Sequence, residues 1–81
     1  MRDNTPFLES LGRRVRDSRK ELGLTLQSLA DRMDMSKTGL WQIEQGKSEP
    51  GAGTLWRLSR ALQCSIDYLV AGETDGPTME A

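Results

Sequence analysis

The stretch MSKTGLWQIEQGKSEP, residues 35–50, gathers a lysine, a threonine, a tryptophan and a glutamine at helical spacing. If Leu40 and Ile43 point inward, Lys37, Thr38, Trp41 and Gln42 are left on the wet face. Lysine donates hydrogen bonds, and glutamine both donates and accepts. Threonine offers a hydroxyl and a methyl, and the indole offers a flat apolar ring with one N–H. That is chemistry for recognition rather than for bond-making. The chain has no histidine for acid–base work, a single cysteine, Cys64, and no glycine-rich phosphate loop. One cysteine without histidine is too few ligands for a structural zinc. The expectation is no cofactor, no metal and no enzymatic activity.

Five helices are expected to carry that face. Leu8, Leu11, Val15, Ser18 and Leu22 recur at helical spacing, with Thr5 as a cap, Pro6 at the first helical position and Gly23 as a stop. This predicts a helix over 6–22. Thr25 caps a second run, 26–33, with Leu26, Leu29, Ala30 and Met33 on one side. Asp34-Met35 is the turn. Ser36 caps a third helix, 37–45, where Met35 and Leu40 are placed for a hydrophobic staple and Gly46 ends the run. A loop over 47–52 leads to a helix over 53–63, burying Leu55, Leu58 and Leu62. Ser65 caps a last helix, 66–71, with Ile66, Leu69 and Val70 inward. No segment alternates with period two, so the fold class is all-α without a sheet. Residues 1–5 are expected to be a flexible lead and 72–81 a frayed polar tail.

Eighty-one residues suit one domain with a thin core, for which a second subunit is a common support. No run of about 18 apolar residues exists to span a membrane. The N-terminus lacks the apolar stretch of a signal peptide, and the lone cysteine fits a reducing compartment. A soluble cytoplasmic protein is therefore expected. The formal charge is −1, but between Leu11 and Ala71 ten basic side chains oppose seven acidic ones, leaving +3. A polyanion responds to the field of one face rather than to the total.

At residues 11–46, and on through Pro50, Thr54-Leu55, Ala61-Leu62 and Ser65-Ile66-Asp67-Tyr68-Leu69, the chain resembles the helix-turn-helix domains of the phage repressor and Cro type. The Leu29-Ala30 pair, the Ser36 cap, Ile43-Glu44 and Gly46 at these spacings carry the likeness, which covers roughly residues 8–71. The resemblance implies a five-helix, lambda-repressor-like bundle. Its third helix would lie in the major groove of double-stranded DNA as the recognition helix.

Base readers would then be Lys37, Thr38 and Gln42. Lysine suits guanine O6 and N7, glutamine suits adenine N6 and N7, and the threonine methyl can meet a thymine methyl. For Trp41 two readings stay open: a contact with a sugar, thymine methyl or phosphate, or cover for a neighbouring side chain. For Gly39 they are close approach of the helix backbone to DNA, or a tolerated irregularity. Backbone contacts are expected from the start of the second helix and from Ser36, Gln45, Lys47 and Ser48. Relatives usually hold a glutamine where this chain has Leu26, so Gln27 or the Thr25 hydroxyl is the expected substitute. Arg14 and Arg16 are further candidates for phosphate contact, with a solvated helix face as the alternative. Arg19 and Glu44 are expected to form a partly buried ion pair that pins the third helix.

A single recognition helix reads few base pairs, so the resemblance also implies a homodimer on a palindromic operator, with half-sites about 34 Å apart. With no room for a separate dimerisation or ligand-sensing domain, the interface is expected near Trp56, Tyr68 and Val70. Trp56 could instead cover the edge of the core. Cys64 is expected to be buried as a small hydrophobe. A DNA-binding regulator of transcription, repressor or autoregulator, is the leading reading. The alternative is a protein-interaction module, for example an antitoxin-type partner using the same fold.

Overall fold

A computed structural model describes residues 4–72 and places five helices and no strand among them. In chain order these are α1 (Thr5–Glu21), α2 (Leu26–Arg32), α3 (Lys37–Glu44), α4 (Ala52–Leu62) and α5 (Ile66–Ala71). None is long and apolar enough to cross a membrane. The expectations for residues 1–3 and 73–81 lie outside the described residues.

Local chemistry explains most helix starts. Thr25 Oγ1 accepts from the Ser28 amide, Ser36 Oγ from the Gly39 amide and Ser65 Oγ from the Tyr68 amide, at 2.9–3.0 Å. Each satisfies one of the four amides a helix start leaves unpaired. The start of α1 differs from expectation. Asn4 takes the cap position through its backbone, its carbonyl accepting from the Leu8 amide at 2.9 Å, with no side-chain cap. Thr5 is therefore inside the helix rather than its cap.

The helix ends share one device. At α1 the Gly23 amide bonds the Lys20 carbonyl and the Leu24 amide bonds the Arg19 carbonyl. The same pair of bonds recurs after α2, α3 and α4, around Asp34, Gly46 and Gln63, all at positive φ. This geometry reverses the chain in two residues and tucks the next side chain under the helix. It also accounts for Leu22, expected on the inward stripe. α1 stops there, Leu22 is 39% exposed, and Leu24 packs against the core instead.

Leu11 and Val15 of α1, Leu29, Ala30 and Met33 around α2, Leu40 of α3, Leu58 and Leu62 of α4 and Leu69 of α5 make one buried cluster. Leu55 and Val70 pack on its edge, and Ile66 is half-buried. Helices of seven and eight residues, such as α2 and α3, do not persist alone in water. Here each is anchored by buried leucine, Leu29 and Leu40 respectively, worth about 1.5–3 kcal/mol apiece.

α1 and α3 meet more closely than side chains would allow. A Cβ at Gly12 would lie 2.7 Å from the Glu44 carbonyl carbon and closer still to the carbonyl oxygens of Ile43 and Glu44. One at Gly46 would lie 2.9 Å from the Glu9 Cα. Two glycines thus let the end of α3 rest on the backbone of α1.

Candidate nucleic-acid interface

α3 is divided along its length. Leu40, Ile43 and Glu44 are buried, while Lys37, Thr38, Trp41, Gln42 and, just past its end, Gln45 are exposed. The exposed positions advance by one and by three residues, which on a helix is one continuous face. Helical propensity does not hold this face in place. The Arg19–Glu44 pair does much of it: Arg19 Nε lies 2.7 Å from Glu44 Oε2, and Nη2 lies 3.1 Å from Oε1. Arg19 Nη1 also donates to the Leu24 carbonyl at 3.0 Å. The two side chains are 11% and 3% exposed. One guanidinium therefore ties α1 to the last turn of α3 and to the turn that launches α2. The bidentate geometry fixes direction as well as distance.

Trp41 is 43% exposed, and the Lys47 ammonium stands over its ring, 5.9 Å from the centroid. Lys47 is itself placed by the turn after α3, where its amide donates to the Gln42 carbonyl at 2.8 Å. Ser48, beside it, is half-buried. Trp41, Thr38 and Lys37 share a cleft of about 300 Å³ with Leu26, the first residue of α2. At Gly39 the fold offers an account that needs no partner. An added Cβ would come within 3.1 Å of the Ser36 cap oxygen and 3.4 Å of Met35 Cε, so glycine leaves room for the cap.

Other sequence-based candidates hold partners within the chain. Arg14 Nη1 donates to the Leu69 carbonyl at 2.9 Å, and the guanidinium stacks against Gly72. It ties α1 to the end of α5. Gln27 Nε2 donates to Asp31 Oδ1 one turn along α2. The Thr25 hydroxyl both accepts the Ser28 amide and donates to Ser28 Oγ. Trp56 and Tyr68 do not share a cleft. Trp56, 54% exposed, lies with Arg32, Arg57, Arg60 and Ala61, the Arg60 guanidinium 5.4 Å from its ring centroid. Tyr68 faces a separate groove with Leu22, Leu62 and Cys64. Val70 is half-buried against the core.

Sequence reasoning passed over Gly12, Leu26 as a cleft wall, and the Lys47–Trp41 contact. Gly12 carried a readable signal. It occupies the inward stripe with Leu8, Val15 and Arg19, where a residue without a side chain marks close helix approach. The other two arise across separate elements and leave no local trace.

A short helix capped by serine, joined by a tight turn to another short helix and clamped on three sides with one polar face left wet, defines the helix-turn-helix class. The helix-turn-helix family model matches residues 15–69, and the chain belongs to that family. It is 39% identical over 66 residues to the transcriptional regulator DicA of Escherichia coli K12, covering 82% of this chain and 49% of that protein. It is 38% identical over 63 residues to repressor protein C2 of Salmonella phage P22, covering 78% of this chain and 29% of that protein. It thus spans about half of the first relative and under a third of the second. A crystal structure of the P22 c2 repressor in complex with a synthetic operator superposes with a TM-score of 0.74 at 38% identity, covering 78% of this chain and 96% of that one.

Proposed function

We propose that this chain is a sequence-specific double-stranded DNA-binding regulator of transcription, a repressor or autoregulator, that lays α3 in the major groove. The observation that carries this reading is the division of α3. One face is locked by Leu40, Ile43 and the Glu44 pair, and the other presents Lys37, Thr38, Trp41 and Gln42 together. Lys37 and Gln42 match the edges of guanine and adenine, and the Thr38 methyl matches thymine. Ser36, Gln45, Lys47 and Ser48 flank that face and suit phosphate oxygens. The P22 relative, in complex with a synthetic operator, supports the assignment. A second copy of the chain would double the few base pairs read by one helix. The α4–α5 half with Trp56, Tyr68 and Val70 is the candidate contact between copies.

Gel-shift titration against the DNA upstream of the protein's own gene, at two salt concentrations, tests this. Specific binding keeps its preference for that DNA as salt rises, whereas phosphate-only binding collapses for every sequence. Gln42→Ala should relax one base position at a cost of about 1–3 kcal/mol. If sequence preference survives that change intact, Gln42 is not a reader. The second reading, a protein-interaction module, draws on the exposed Trp56 ringed by Arg32, Arg57 and Arg60, a surface suited to an acidic partner. It gains ground if DNA binding is weak and indifferent to sequence.

A further inference from the structure

We propose that Leu26, Thr38 and Trp41 form an apolar slot for the 5-methyl group of a thymine, making Leu26 a specificity-determining residue although it lies outside α3. This rests on the DNA-reading function proposed above and deepens it.

Leu26, Thr38 and Trp41 line one cleft, and each carries apolar surface: an isobutyl group, a methyl and an indole ring. Lys37 completes the lining. The walls are rigid because each stands at a fixed helix start. α2 begins under the Thr25 cap and next to the Arg19–Leu24 bond, and α3 begins under the Ser36 cap. Leu26 is half-buried and packs on the core. The Lys47 ammonium stands over the Trp41 ring.

Leu26 can make no hydrogen bond to a phosphate or a base, so the cleft selects for apolar surface. In the major groove only thymine presents an apolar group, its methyl. Cytosine offers a C5–H in place of that methyl and an amino donor beside it. That amino group set against leucine and indole would lose its water without gaining a partner. The slot therefore favours thymine over cytosine through apolar contact.

The test uses the purified full chain. Binding sites are selected from random-sequence duplex DNA, and each thymine of the selected site is then replaced singly by deoxyuridine, which keeps every hydrogen-bonding group and lacks only the methyl. One thymine position should show a loss of affinity of about fourfold, the scale of one buried methyl group. In Leu26→Ala and Trp41→Ala that uridine penalty should shrink below about twofold, with penalties elsewhere unchanged. Leu26→Gln, which keeps side-chain length, gives the same reading if Leu26→Ala is poorly folded. Tolerance of uridine at every position, or a penalty that persists in the Leu26 and Trp41 variants, overturns the slot while leaving DNA reading intact. A selection that enriches no sequence overturns the DNA-reading function itself, and the slot with it.

Discussion

Replacing Gly12 by alanine adds one methyl group at the crossing of α1 and α3. The new Cβ would stand 2.7 Å from the Glu44 carbonyl carbon, where carbon atoms rest comfortably at about 3.5–4.0 Å. The shortfall is close to ~1 Å, and the obstacle is backbone, which cannot rotate aside. α3 must lift from α1, and that movement also stretches the Arg19–Glu44 pair seated at the same crossing. Overpacking of this kind costs about 1–3 kcal/mol. Removing a glycine from a helix returns about 0.5–1 kcal/mol. A net loss of about 1 kcal/mol follows, and for a domain of this size each kcal/mol moves the Tm by about 4–8 °C. Gly12→Ala should therefore melt roughly 4–8 °C below wild type in a circular-dichroism thermal scan. Gly53→Ala is the matched control. A Cβ there meets nothing within 4 Å, so the same chemical change should leave the Tm unchanged or raise it slightly. If Gly12→Ala melts at or above wild type, the close crossing does not hold α3 in the way described.

Glu44→Ala strands the Arg19 guanidinium in a site where it is only 11% exposed, which should cost about 3–5 kcal/mol. An unchanged Tm would refute the clamp. Gln63 sits at φ 59°, a conformation that costs a residue bearing a Cβ about 1–2 kcal/mol. Gln63→Gly should raise the urea midpoint by the equivalent of about 0.5–1 kcal/mol after the greater freedom of the unfolded glycine is subtracted. The same change at Asp34, φ 54°, should give less, since aspartate tolerates this region better; a larger gain at Asp34 would contradict that account. Lys47→Ala should weaken binding to all DNA sequences alike and lower the salt slope by about one. A loss confined to one sequence would instead make Lys47 a base reader.

Much of this architecture could be read from residue order, because its signals are local. Thr25, Ser36 and Ser65 each stand one residue before a helix and cap it as expected. Gly23 and Gly46 mark two helix ends, whereas Asp34 and Gln63 perform the same turn with no glycine to announce it. Thr5-Pro6 reads as a cap and first helical residue because threonine before proline is a common helix start, yet the backbone of Asn4 takes the cap position. The wet face of α3 follows from its period alone. What surrounds it does not. Leu26 reaches Trp41 across two elements, and Arg14 turns to the Leu69 carbonyl, 55 positions away. Tertiary packing decides such partners, and no spacing rule reports them.

The split of α3 into a locked face and a wet face separates two kinds of evolutionary change. Exchanging Lys37, Thr38 or Gln42 touches none of the contacts that secure the helix, and such surface substitutions usually shift stability by less than about 0.5 kcal/mol. On the DNA-reading function proposed above, target preference can thus drift, or be rewritten by grafting these positions, while Leu40, Ile43 and Glu44 stay constant beneath them. The scaffold would then acquire a new address without first having to refold.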